Sequence, residues 1–161
     1  MHPQIEAILD KAENHYLSPE ELGIINQYVE SLPARLEAYR SLRDRELEIM
    51  QQVANQLQAT MPQEKIENLE RSLKNGLLLL RYCAMGMLLN DESFVQERLL
   101  GWLSATLGFY NIQTIDTTLY RLLNQQLAQT ISPIHVSLLN PMLTKAQNTL
   151  QQSTAVPTLV G

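Results

Sequence analysis

The chain has 161 residues, enough for one domain with a single core, and its 45% apolar content is that of an ordinary globular protein. A net charge of -5 and a pI near 5.2 exclude the basic stripe that nucleic-acid binding requires. The longest apolar run, Leu77 to Leu89, is broken by Arg81 and falls short of the roughly 20 residues that cross a bilayer.

The amino terminus, MHPQIEAILDKAEN, carries early charges and no apolar signal core. The lone cysteine, Cys83, has no partner in the chain for a disulfide. A soluble, unexported, cytoplasmic protein is the expectation. Charge is uneven: from Gly101 onward only Asp116, Arg121 and Lys145 are charged, so that surface is either solvated by amides and hydroxyls or covered by a partner.

Helical periodicity dominates. A first short helix is expected over Gln4 to Asn14, with Ile5, Ile8 and Leu9 on one face. The stretch YLSPEEL then carries a start signal: Ser18 as cap, Pro19 at the first helical position and Glu21 completing a capping box. Leu22, Ile25, Val29 and Leu32 share a stripe on the helix that follows. Pro33 ends that helix or opens the next, in which Leu36, Tyr39 and Leu42 recur. Leu47, Met50, Ala54, Leu57 and Met61 are spaced as one buried face, and Pro62 breaks it.

A long helix is expected from Gln63 to Leu89, apolar nearly all round at its end. Gly76 within it costs about 1 kcal/mol against Ala and marks a bend or a close approach. Asp91 caps the next helix, which carries Val95, Leu99, Trp102 and Leu103 to Gly108. GFYN is a turn, and Ile115, Leu119, Leu122 and Leu123 line another helix. Ser132 and Pro133 open the last, with Leu138, Leu139, Met142 and Ala146, perturbed at Pro141. About eight helices in one domain result. Residues 1–32 form an N-terminal helix pair, 33–151 the core and 152–161 a flexible tail. An exposed apolar helix pair of this kind buries its face on a partner.

Two stretches carry a resemblance. AENHYLSPEELGIINQYVESLPARLEAYRSL resembles the opening of phycobiliprotein subunits, and SLKNGLLLLRYCAMGMLLNDESFVQERLLGW resembles their central region. Ser72, Leu73, Lys74 and Asn75 fall on the family's Cys-Leu-Arg-Asp motif. Leu80, Arg81 and Tyr82 fall on its Leu-Arg-Tyr, Asn90 and Asp91 on its Ala-Gly-Asp, and Gly101 on its Asn-Gly-Leu step. The resemblance covers the chain to about residue 150 and implies an all-α, globin-like phycocyanin fold with two N-terminal helices projecting for subunit pairing. It implies a role in cyanobacterial light harvesting and phycobiliprotein subunits, or a second copy of the chain, as partners. It also implies a place in the cytoplasm, at the cytoplasmic face of the thylakoid membrane. The interface it implies comprises Asp10, Glu13, Tyr16, Leu22, Ile25, Arg81 and Tyr82. The family's arginine at position 81 pairs across the interface with an aspartate that falls near Lys11, beside Asp10 and Glu13. Snorkelling of Arg81 to water, or its pairing within its own chain, is the alternative.

The resemblance further implies a linear tetrapyrrole, a bilin, on the motif cysteine, and there the match breaks. Position 72 is serine, a poor nucleophile without an activating base. Cys83 lies eleven residues on, roughly 16 Å along a helix. Asn75 stands where an aspartate accepts from the pyrrole nitrogens, and supplies no counter-charge. Lys74 replaces an arginine and loses its bidentate fork. Pro62 and Ser72 are only ten residues apart, leaving a short loop to wall in a pigment. The expectation is no covalent cofactor: Ser72, Lys74 and Asn75 are either a vestigial bilin pocket or one holding a bilin without a bond. A globin-like sensor domain is the alternative of another class. His2, His15 and His135 show no metal-ligand spacing, and haem on His135 would sit at the wrong helix end. No phosphate loop, nucleophile elbow or carboxylate pair supports an enzyme. The methionines read as core filling.

Overall fold

The computed structural model describes residues 2–106 and 113–154, with side chains for 2–101 and 114–151. Within these lie six helices and no strand: α1 (Pro3–Lys11), α2 (Pro19–Thr60), α3 (Ile66–Leu89), α4 (Glu92–Thr106), α5 (Gln113–Thr130) and α6 (Pro133–Thr154). The fold is all-α and globin-like. The expected GFYN turn, the tail beyond Thr154 and the side chains of Trp102 and Leu103 lie outside the described residues.

The start signals act as their chemistry dictates. Ser18 Oγ accepts from the Glu21 amide at 3.2 Å, and Glu21 Oε2 accepts from the Ser18 amide at 2.9 Å. The capping box thus satisfies donors that the first turn leaves orphaned. Asp91 Oδ1 accepts from the amides of Ser93 and Phe94 at 3.0 and 3.3 Å, opening α4. Ser132 Oγ accepts from the His135 amide at 3.4 Å, opening α6. Between α3 and α4 the chain turns on Asn90, at φ 53 in the left-handed region. The Asn90 amide donates to Met87 O at 3.0 Å and the Asp91 amide to Gly86 O at 2.9 Å, a Schellman closure.

α3 is the centre, packed by α2, α4, α5 and α6. Leu79, Leu80, Cys83 and Met87 of α3 join Leu119, Leu123 and Leu127 of α5 and Leu139, Met142 and Ala146 of α6 in one core. Two glycines of α3 set the approach. A Cβ on Gly76 would stand 2.7 Å from Leu119 Cδ2, and one on Gly86 would overlap the Val95 side chain. Gly76 therefore marks a close approach, and the helix runs on through it.

Several expectations are corrected. Pro33 neither ends nor opens a helix: α2 runs unbroken for 42 residues with Pro33 inside it. Proline removes the donor to the Val29 carbonyl, but Pro33 and Val29 are exposed, so water can serve that carbonyl. The helix is held on both sides of the proline by burial of Arg35, Ala38 and Leu42 below it and by the capping box above. The expected second helix is thus the first third of α2, and the chain has fewer described helices than the roughly eight expected. Pro141, also exposed, likewise lies inside a continuous α6. The face expected from Leu47 to Met61 holds in part: Leu57 and Met61 are buried and Met50 and Ala54 half-buried, but Leu47 is 81% exposed, and Ile49 and Val53, outside that face, are fully buried, where α2 packs against α3 and α5. Finally, α3 begins at Ile66, not Gln63, since Pro62 to Lys65 are spent in a turn in which the Glu64 amide donates to Met61 O.

Candidate functional site

Two regions bear on function: the turn of α3 that holds Ser72, and the outer surface of α1, α2 and the Arg81 end of α3.

At the first, Ser72 is fully buried and its hydroxyl donates to Asp116 Oδ1 of α5 at 2.7 Å. The two residues are 44 apart in the chain, so only the packing of α3 on α5 unites them. Burial raises the Asp116 carboxyl above its ordinary value, and the Ser72 hydrogen bond offsets part of that rise. Tyr120, one turn along α5, has its phenol pushed well up by burial, then by Asp116 and Cys83. Asn75 is half-buried, and Lys74 is exposed to solvent. Ser72 thus commits its hydroxyl to the α3–α5 contact while Lys74 stands in water. The residues present do not fit a thioether-bound bilin. The chain's one thiol, on Cys83, is fully buried, and burial pushes it up to about 12. A thiol in that state supplies no thiolate near neutral pH.

At the second region, α1 lies on α2 through buried Ile5 and Ile8. Asp10 and Glu13 are exposed, and Tyr16 is 100% exposed at the tip of the turn between the helices. On α2, Leu22 and Val29 are exposed while Ile25, Leu32 and Leu36 are half-buried, and none of the five belongs to the core. Arg81 finds its anion within the chain: both Nε and Nη2 reach Glu46 Oε1 at 2.8 Å. Tyr82 is half-buried against the core. Arg81 and Glu46 edge a cleft of about 160 Å³ between α2 and α3, floored by Leu42, Leu80, Ala84 and Met85. Tyr39 and Arg43 complete its rim.

Sequence reasoning missed Arg35. It is 2% exposed, and no carboxylate meets it among the described residues. Its Nη1 donates to Leu88 O, its Nη2 to Tyr28 O at 2.9 Å, and its Nε to Ser31 Oγ at 3.2 Å. The guanidinium lies 4.7 Å from the centre of the Tyr28 ring. The Tyr28 hydroxyl donates to Leu89 O at 3.2 Å. Together the two side chains clamp the carboxyl end of α3, where the helix dipole presents partial negative charge. The signal was present: Arg35, Ala38 and Leu42 share helical spacing, so a charge stood on the buried stripe.

Among the described residues no group of three or more His, Cys, Asp or Glu side chains is placed to hold a metal ion. No helix among them is long and apolar enough to cross a membrane. The family model described as "Phycobilisome protein" matches residues 8–150. No curated protein matches the chain.

Proposed function

The chain belongs to the phycobilisome protein family, and from that premise we propose that it is a light-harvesting component that carries no covalent bilin and acts by subunit association. Members of the family bind bilins, usually covalently. What supports a departure here is the state of position 72: the side chain is a hydroxyl, fully buried and donated to Asp116. A bilin carbon has no thiol to add to there. The only thiol is buried eleven residues away.

The role is structural or regulatory, and it is exercised through the α1–α2 surface, where Asp10, Glu13, Tyr16, Leu22 and Ile25 stand clear of the core. Arg81, held by Glu46, and Tyr82, packed on the core, lie elsewhere on α3: Ile25 and Glu46 are roughly 31 Å apart along α2. The place of action is the cytoplasmic face of the thylakoid membrane, reached through the phycobilisome. On this reading the chain performs no catalytic step, in keeping with a family of light-harvesting proteins that are not enzymes.

Co-production with a bilin tests the pigment half. The purified chain is expected to keep its unmodified mass and to show no visible band after denaturation. A mass increase by one bilin would refute the reading. Colour present in the native state and lost in denaturant would replace it with a non-covalent pigment carrier, for which Lys74 and Asn75 are the available polar groups. Co-purification with phycobiliprotein subunits tests the association half.

A further inference from the structure

Pro33 sits where an arm of the molecule meets its body. Before it lie α1 and the first turns of α2; after it α2 enters the core at Ala38. Among the described residues no member of the core precedes Ala38, and α1 lies on α2 and on no other helix. Where the arm passes the turn between α3 and α4, Ile24, Gln27 and Ser31 stand with Asn90 around a cleft of about 210 Å³ rather than in close packing. Apolar burial therefore does little to fix the arm's direction. Proline weakens the helix at the same point: it gives Val29 O no donor, and its ring pushes against that carbonyl, the usual cause of a kink. From Pro33 back to Pro19 the arm is roughly 21 Å long, so a tilt of about 20° at the proline carries its tip roughly 7 Å.

One side chain bridges the proline. Arg35, two residues past it, sends Nη2 back to Tyr28 O at 2.9 Å and to Ser31 Oγ at 3.1 Å, and Nε to Ser31 Oγ at 3.2 Å. Ser31 Oγ in turn donates to Tyr28 O at 2.9 Å. The same guanidinium reaches the body, where Nη1 donates to Leu88 O. Its carbon lies 4.7 Å from the centre of the Tyr28 ring, whose hydroxyl donates to Leu89 O. The arm, the helix beyond the proline and the end of α3 are thus tied by one planar, multi-donor group that is 2% exposed.

We propose that Pro33 is a hinge and Arg35 its brace: the guanidinium fixes the angle at which α1 and the first turns of α2 leave the body. It thereby positions the surface that carries Asp10, Glu13, Tyr16, Leu22 and Ile25 without touching a partner. The consequence for binding rests on the association reading above; the hinge does not. An arm free to swing presents its surface correctly only part of the time, and apparent affinity falls by that fraction.

The full chain tests this with spin labels. One is placed on Gly23→Cys, where an added side chain meets nothing, and the other on exposed Glu97→Cys of α4 or Ala128→Cys of α5. Cys83 is fully buried and stays unlabelled in the native state. The otherwise wild-type chain is expected to give one narrow distance for each pair by pulsed electron resonance. Arg35→Met is expected to shift or broaden it by roughly 5 Å, the sweep of residue 23 about Pro33, with helicity kept. Adding Pro33→Ala to Arg35→Met is expected to restore the narrow distance, because alanine returns a donor to Val29 O while the guanidinium is still missing. Arg35→Lys keeps the charge without the fork; it is expected to fall between, and it replaces methionine should that variant not fold. Binding to phycobiliprotein subunits is expected to weaken with Arg35→Met and to recover with the added Pro33→Ala. A broad distance in the otherwise wild-type chain, unchanged distances in both Arg35 variants, or a broadening that Pro33→Ala leaves in place overturns the brace. If the distances behave as expected and no chain, wild type included, binds the subunits, the association reading falls and the brace stands.

Discussion

Replacing Arg35 with methionine removes the charge and its donors while keeping most of the apolar length. The structure sets the magnitude. Arg35 is 2% exposed, and its donors go to Leu88 O, Tyr28 O and Ser31 Oγ. A carboxylate would ordinarily offset the cost of burying a guanidinium; here the carboxyl end of α3 and the Tyr28 ring do so. Methionine leaves Leu88 O without that donor and frees Ser31 Oγ, and each buried group so orphaned costs about 1–3 kcal/mol. The expected loss is about 2–4 kcal/mol on that basis. For a domain of this size that corresponds to a fall in melting temperature of roughly 10 °C. Arg35→Lys keeps the charge but not the fork, and should lose about half as much. Urea unfolding followed by helical circular dichroism, with unchanged slope, measures both. A loss under about 1 kcal/mol for methionine would show that the clamp contributes no more than an ordinary surface contact, and the account of the α2–α3 junction would fail.

Other outcomes follow from single contacts. Gly86→Ala gains helix propensity but drives a methyl into Val95 and toward Asp91 O, so a net loss of about 1–3 kcal/mol is expected by the same denaturation assay. Asp116→Asn is expected to raise stability at pH 7. The folded carboxyl titrates above its unfolded value, so its ionisation opposes folding above the folded pKa, and the variant's advantage should vanish as pH falls through that value toward the unfolded one. A wild type that outlasts the variant at pH 7 would refute the sign. Cys83 should resist a thiol reagent at pH 8 in the native state and react once denatured, because burial holds the thiol up at about 12. Leu47→Gln should change stability by no more than about 0.5 kcal/mol, whereas Ile49→Ala should cost about 2–5 kcal/mol. The reverse order would restore the face first expected from spacing.

What the sequence by itself determined is what acts over three or four residues. The capping box at Ser18 and Glu21, the caps at Asp91 and Ser132 and the stripe of Ile115, Leu119, Leu122 and Leu123 were legible because each is a contact or a burial pattern within one or two helical turns. The order of motifs around Ser72 and Arg81 was enough to name the family, and the absence of a thiol at position 72 was plain from the letter alone. Tertiary structure decided the rest. Two adjacent stripes of α2 are comparably apolar, and nothing local says that Ile49 and Val53 are covered while Leu47 is not; the positions of α3 and α5 say it. Pro33 carries a local penalty, and whether a helix bears it depends on burial of Arg35, Ala38 and Leu42 against distant elements. The partners of Ser72 and Arg81 lie 44 and 35 residues away, beyond the reach of any periodicity. A buried charge such as Arg35 is settled the same way, because its counter-charge is the end of another helix and not a side chain that a sequence displays.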